Sequence, residues 1–403
     1  MDVKSGYPWW PIRNGLVRDY PPLRADITCD VAIIGAGITG ALIADALVDA
    51  GLDTVVLDKR DVAWGSTAAS TALLQYEIDT ELAELGRAIG MRDALRAYRA
   101  CEHAMDDLAR IAETLNGDGY TACRSLYLAF VRRHLPRLRA EYTERVRHGF
   151  DVEWLESASL QEKFGVRAFG ALLSRPAGRV DPYRLAHALL ARASAGGARV
   201  HDHTAVSGIE YLPKHVRLHC ARNHCVRARW LVLAAGYESE GFLPEKVARN
   251  RSSYAFVSEP VQPCPAAFAG VIAWETRRPY LYWRATEDDR VIVGGEDDAT
   301  DLPARRDGRV VGKAGKLLKR ITEAVPGLEL EIAYAWGGTF AETRDGLPCF
   351  GPHPACDPRV LFAMAYGGNG ITYSMIGAGI LRATIRGERH LLSDLFGFAR
   401  ASR

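Results

Sequence analysis

Asp30-Val-Ala-Ile-Ile-Gly35-Ala-Gly37-Ile38-Thr39-Gly40 decides the fold of this chain. A short apolar run feeds directly into Gly-x-Gly-x-x-Gly, and an apolar helical pattern follows through Ala41, Leu42, Ile43, Ala46 and Leu47. The order is strand, tight turn, helix. The glycines have separate duties: Gly35 makes the turn, Gly37 lets backbone approach a pyrophosphate, and Gly40 packs helix against strand. The helix N-terminus offers free N–H groups and a positive dipole end to phosphates. A second strand, Thr54-Val-Val-Leu57, ends at Asp58, 18 residues beyond Gly40, where a ribose hydroxyl partner belongs. The stretch predicts an ADP-containing dinucleotide, with Ile38, Thr39 and Lys59 beside it.

Size and composition agree with a large globular enzyme or binding protein. At 403 residues the chain is long enough for two domains. Its 48% hydrophobic and 25% charged residues are an ordinary balance. With 51 basic against 49 acidic residues, nothing points to nucleic acid or an anionic membrane. No apolar run approaches the roughly 20 residues of a membrane span. The N-terminal residues lack the apolar core of a signal peptide, so a cytoplasmic location is expected. The eight cysteines are scattered and form no dense disulfide framework. His219-Cys220-Ala-Arg-Asn-His224-Cys225 has the residue types of a zinc site but not the spacing, and reads as a hairpin. No metal is expected.

Outward from the fingerprint, residues 1–28 are Pro- and Trp-rich and read as an irregular arm with docked aromatics. Residues 81–117 carry helical periodicity, and Ser125–Val131 reads as a strand. Residues 133–148 form a basic helix, expected to be a solvated face. Pro176 to Pro182 reads as a turn opening a helix from Tyr183. Residues 198–235 return to strands, 252–298 have the look of an antiparallel sheet, 309–325 are helical, and a final helix follows from about 371 to 386. Nucleotide signals alternate with antiparallel ones, so the domains are expected to be discontinuous. Residues 29–90, 150–245 and 335–403 are assigned to an α/β Rossmann-like dinucleotide domain. Residues 91–149 and 246–334 are assigned to an α+β substrate domain.

Three later features favour FAD over NAD. Gly65-Ser66-Thr67, continuing through Thr71, Ala72 and Leu73, is a small hydroxyl-rich loop suited to phosphate. Leu231-Val-Leu-Ala-Ala235-Gly236 is an apolar strand ending in small residues, and Val206 lies on a neighbouring strand. Tyr366-Gly-Gly368-Asn369-Gly370-Ile371 opens a helix whose N-terminus would face the flavin pyrimidine, where charge accumulates on reduction.

These motifs, together with Trp336-Gly-Gly-Thr-Phe340 and Asp345-Gly346-Leu-Pro348, resemble the FAD-dependent D-amino-acid oxidase superfamily. The resemblance runs from about residue 30 to 390. It implies an FAD-dependent enzyme that oxidises a C–N bond of an amine or amino acid by hydride transfer to flavin N5, the imine then hydrolysing. Oxygen or another acceptor would reoxidise the flavin. It also implies that Gly346 sits in a turn near the flavin. Two departures matter. The arginine that grips an α-carboxylate in some members is replaced by Phe340, and a second basic position is Gly368. The cysteine that tethers flavin in others is Gly338, so non-covalent FAD is expected. In place of a carboxylate clamp, Glu296-Asp297-Asp298 and an aromatic set (Tyr254, Tyr280, Tyr282, Trp283, Trp336, Tyr366) would suit a cationic amine. Tyr254, Tyr282, Glu296, Phe340 and Tyr366 are the substrate-site candidates, and Gln75, Tyr76 and Glu77 are further residues within reach of the flavin. A C–O-oxidising flavin dehydrogenase of a 2-hydroxy acid and a non-catalytic FAD-binding subunit are the alternatives.

Overall fold

A parallel core builds one sheet of the molecule and mainly antiparallel pairing builds the other. The computed structural model describes residues 2–115 and 120–401. Met1 of the arm, residues 116 and 117 of the expected helical stretch, and residues 402 and 403 lie outside the described residues.

In the first sheet Val360–Met364, Cys225–Leu233, Ile27–Ile34, Thr54–Leu57 and Arg199–His201 run parallel in that spatial order. Register places Val31 between Trp230 and Thr54, so the fingerprint strand is flanked on both sides. A parallel strand covered on both faces reads as an unbroken apolar run, and Val31, Ala32 and Ile33 are fully buried. The helix Ile38–Asp49 packs against both Pro182–Ala195 and Gly370–Ile385. Cys349–Pro352 adds an antiparallel edge. Val216–Cys220 and Cys225–Leu233 form the expected hairpin around His219 and Cys225.

The second sheet has ten strands among the described residues. Its order is Lys4–Gly6, Ile332–Glu342, Arg249–Ser258, Val291–Asp298, Leu281–Ala285, Val271–Glu275, Thr121–Ala129, Gly170–Arg179 and Leu73–Gln75, with Val152–Glu156 also on Gly170–Arg179. The helix Val310–Ala324 covers one face through Val310, Ala314, Leu317, Ile321 and Ala324, at the three- and four-residue spacing of an amphipathic helix. No helix among the described residues is long and apolar enough to cross a membrane.

Four expectations are corrected. The arm is not irregular throughout: Lys4–Gly6 pairs with Ile332–Glu342, and Trp9–Asn14 is a helix. Its aromatics do dock, Trp10 being fully buried with Nε1 donating to Ser70 O at 2.6 Å. Pro176 is not in a turn but within the strand Gly170–Arg179. The partner register skips between Cys123 and Ser125 there, so a bulge absorbs the missing proline N–H. The strands Leu73–Gln75, Val152–Glu156, Gly170–Arg179 and Ile332–Glu342 belong to the antiparallel sheet, although the expected segmentation put 29–90, 150–245 and 335–403 with the parallel one. Alternation of apolar residues identifies a strand but not the sheet it joins. Finally, the helix Leu135–Arg147 is not wholly a solvated basic face. Arg145 and Glu141 are completely buried, with Arg145 Nε 2.7 Å from Glu141 and its Nη1 3.3 Å from Glu77.

Candidate active site

The strand ends of the parallel sheet and one face of the antiparallel sheet line a cavity of about 410 Å³. Its first wall is the fingerprint. Gly35 has φ +114°, and a Cβ there would lie 2.3 Å from Ala234 O. At Gly40 a Cβ would lie 1.9 Å from Gly35 O, so this glycine serves helix packing and stands outside the lining. Gly37 caps the helix Ile38–Asp49. Thr67 Oγ1 accepts from Ile38 N at 3.0 Å and ties the Gly65–Thr67 loop to the helix start. Asp58 reaches the cavity while its carboxylate accepts from Ala36 N at 2.7 Å and Arg60 N at 2.9 Å. Burial pushes its carboxyl up, and the two amides work against that.

Gly35, Gly37, Ile38, Thr39, Asp58, Lys59, Gly65, Ser66, Thr67, Thr71, Ala72, Leu73, Val206, Ala235, Gly236, Gly368, Asn369, Gly370 and Ile371 all face this one cavity. Gly346 does not. Its φ is +76°, a Cβ would meet Thr80 Oγ1 at 2.9 Å, and its carbonyl accepts from Tyr373 OH at 2.9 Å, so it shapes the turn behind the wall. Asn369 donates to Glu77 O at 2.6 Å, which pins the start of the helix Gly370–Ile385 against the Gln75–Asp79 segment. Of that segment Gln75 and Asp79 line the cavity, whereas Tyr76 and Glu77 are buried behind it.

The opposite wall is aromatic and acidic. Tyr254, Tyr282, Phe340 and Tyr366 face the cavity, joined by Trp274, Tyr280 and Trp336. Trp283 does not join them. Strand alternation turns it to the other face, where Nε1 donates to Ala267 O at 3.0 Å. Gly294 makes room for Tyr282, since a Cβ there would fall 2.2 Å from its ring. Glu296 is corrected as a substrate-site candidate. Its carboxylate turns to the helix Val310–Ala324, 2.6 Å from Arg320 and 3.7 Å from Lys313. Asp298 does the same, 3.0 Å from Lys313 and 2.8 Å from Arg309, while accepting from Tyr254 OH. Asp297 alone of the three acids lines the cavity.

Asp79 and Glu342 are acids of this wall that the sequence did not single out. Asp79 accepts from Gly368 N at 2.8 Å and Tyr280 OH at 3.5 Å, and Glu342 pairs with Arg251. Nothing local marks either residue, because each acquires its meaning from a strand or loop distant in sequence. Among the described lining residues the basic side chains are Lys59 and Arg60, both held by Glu238 at 2.8 and 3.0 Å.

Two glycine-lined helix starts, a half-buried carboxylate at the end of the second parallel strand and a hydroxyl loop fit a dinucleotide laid along this cavity. The comparisons agree. A family model described as DAO, FAD dependent oxidoreductase, matches residues 30–383. Glycine oxidase of Bacillus licheniformis is 28% identical over 356 residues, 85% of this chain and 89% of that protein. Gamma-glutamylputrescine oxidoreductase of Escherichia coli strain K12 is 23% identical over 378 residues, 92% of this chain and 86% of that one. The crystal structure of glycine oxidase from Geobacillus kaustophilus superposes with a TM-score of 0.75 at 20% identity, covering 93% of this chain and 98% of its own, a likeness of fold. Since the matched residues take in the fingerprint, the aromatic wall and the closing helix together, the chain belongs to the DAO family of FAD-dependent oxidoreductases.

Proposed function

We propose that this chain oxidises a C–N bond of a cationic amine that carries no free α-carboxylate beside the reacting carbon. Bound FAD would supply the chemistry, accepting a hydride at N5. The parallel-sheet part holds the cofactor non-covalently in this reading. The residues from Gly35 to Thr39 and from Gly65 to Leu73 would hold its phosphates, Asp58, Lys59 and Val206 would serve its adenosine end, and Gly368 to Ile371 would serve its ring. The antiparallel-sheet part shapes the substrate. The imine product hydrolyses in water, which needs no further group from the protein.

The observation that carries this reading is the wall built from Trp274, Tyr280, Tyr282, Asp79 and Asp297. Aromatic faces attract a cation, and carboxylates attract it further. A carboxylate-bearing substrate would meet Phe340 and Gly368 instead of a basic clamp. Support also comes from relatives named for amine and amino-acid oxidation. The test is anaerobic mixing of the flavin-loaded protein with polyamines, γ-glutamyl polyamines, N-methyl amino acids and D-amino acids. Bleaching by the first two sets at rates at least tenfold above the α-amino acids supports the reading. Preferred bleaching by α-amino acids would overturn it.

A further inference from the structure

We propose that Asp297 is the base that takes the proton from the bound substrate ammonium, leaving the neutral amine that hydride loss requires. The inference rests on the amine reading above and adds a residue and a step to it. In the step an N–H bond of the ammonium breaks and an O–H bond forms on Asp297. The electron pair stays on nitrogen, and nothing is oxidised or reduced. Only the neutral amine has that pair available to stabilise the carbon that then gives up hydride.

Geometry selects Asp297 from the five acids that line the cavity among the described residues. Asp58 is held by two backbone amides and Glu238 by Lys59 and Arg60. Asp79 accepts from Gly368 N and Tyr280 OH, and Glu342 pairs with Arg251. Ser253 hydrogen-bonds to the Asp297 carboxylate, but its Oδ1 is buried and has no hydrogen-bond partner. A buried carboxylate oxygen without a donor is costly, and a substrate N–H would satisfy it.

The backbone is bent to put it there. Gly295 has φ +131° and Glu296 φ +55°, and the register with Arg249–Ser258 skips between Ser252 and Tyr254. A Cβ on Gly295 would lie 1.9 Å from Tyr280 O. The resulting bulge sends Glu296 and Asp298 toward the helix Val310–Ala324 and Asp297 into the cavity. Left-handed backbone at a non-glycine residue is strain held by its surroundings, and such strain collects at functional sites.

The groups facing Asp297 are Ser253 from Arg249–Ser258, Tyr280 and Tyr282 from around Leu281–Ala285, Glu342 from Ile332–Glu342, and Asp79 and Arg278 from the loops. Burial raises its carboxyl to about 6, with Ser253 and Arg278 opposing and Glu342 and Asp79 reinforcing the rise. A base of that strength is ionised at neutral pH and still takes a proton.

The experiment compares the parent, Asp297→Asn and Asp297→Glu in anaerobic flavin bleaching by a polyamine from pH 5 to 10, read as the second-order rate constant. The parent should lose rate below about pH 6. In Asp297→Asn the acid limb should move up to the amine's own value of about 10, with a loss at pH 7 of roughly 10²- to 10⁴-fold that closes toward pH 10. Asp297→Glu should keep a limb below neutrality. A readout independent of turnover is the infrared carboxyl stretch, which should titrate near 6 in the parent, with or without flavin, and be missing in Asp297→Asn. A limb that stays near 6 in Asp297→Asn, or a loss that is the same at every pH, overturns the proposal while leaving the amine reading intact. A parent that no amine bleaches overturns both.

Discussion

Tyr282 and Gly294 show how a single position sets this cavity. The tyrosine ring lies across the strand Val291–Asp298 at Gly294, where any Cβ would sit 2.2 to 2.5 Å from ring atoms and 2.6 Å from the hydroxyl. Gly294→Ala should therefore push the ring into the cavity while leaving the cofactor wall untouched. Misplacement of about 1 Å costs on the order of 100-fold in rate. The expected outcome is a normal FAD content with amine-driven bleaching about 100-fold slower, measured by rapid anaerobic mixing. A second residue-scale case is Arg145, fully buried between Glu77 and Glu141. Arg145→Met would strand two carboxylates in the core. Breaking such a buried network from one side costs roughly 3–5 kcal/mol, to be read as a lowered denaturant midpoint. Neither residue is legible locally. Gly294 is one half of a Gly-Gly pair in an apolar run, and Arg145 is one of several arginines on a helix. The ring that crowds Gly294 comes from the strand Leu281–Ala285, and Glu77, which Arg145 reaches, comes from the loop after Leu73–Gln75.

At the scale of elements, the helix starts were legible and the strand partners were not. Asp181-Pro182 announces the helix Pro182–Ala195, and Asp181 Oδ1 accepts from Tyr183 N and Arg184 N, both at 3.0 Å. Asp181 also accepts from Asn14 Nδ2 at 2.7 Å, which ties the N-terminal helix Trp9–Asn14 to this cap. Asp181→Ala should cost about 1 kcal/mol for the cap alone, and more if the tie to Asn14 counts, as read in equilibrium unfolding. The fingerprint was legible for a similar reason: strand, turn and helix are adjacent, so Gly35, Gly37 and Gly40 carry their context with them. The three acids Glu296, Asp297 and Asp298 are the opposite case. Plain alternation puts 296 and 298 together but does not say which side faces the cavity. The left-handed pair at Gly295 and Glu296, and the helix carrying Lys313 and Arg320, decide it. Pro176 likewise looks like a turn until the bulge opposite it is known.

Across the whole molecule, the cavity exists only because the two sheets meet. The parallel sheet brings the Gly35–Gly40 turn, Asp58 and the start of Gly370–Ile385 to one side, and the antiparallel sheet brings Tyr280, Tyr282 and Asp297 to the other. Stripping FAD removes whatever binding energy it contributes to the folded state. A ligand present at 100 times its dissociation constant contributes about 2.7 kcal/mol. The flavin-free protein should therefore melt at a lower temperature, rising again as FAD is added back, and a melting curve indifferent to FAD would place the cofactor elsewhere. The order of the signals along the chain made the cofactor part readable, since each signal is a short local motif. The antiparallel part was readable as strands but not as a cavity wall, because Asp79, Trp274 and Glu342 converge from three separate segments. The most direct measurement of the central claim is the flavin absorbance of the purified, FAD-loaded protein, followed without oxygen as polyamines and 2-hydroxy acids are added in turn. An amine oxidoreductase with an acidic, aromatic wall is bleached by the polyamines and left unchanged by the hydroxy acids. Bleaching by 2-hydroxy acids alone would contradict the account.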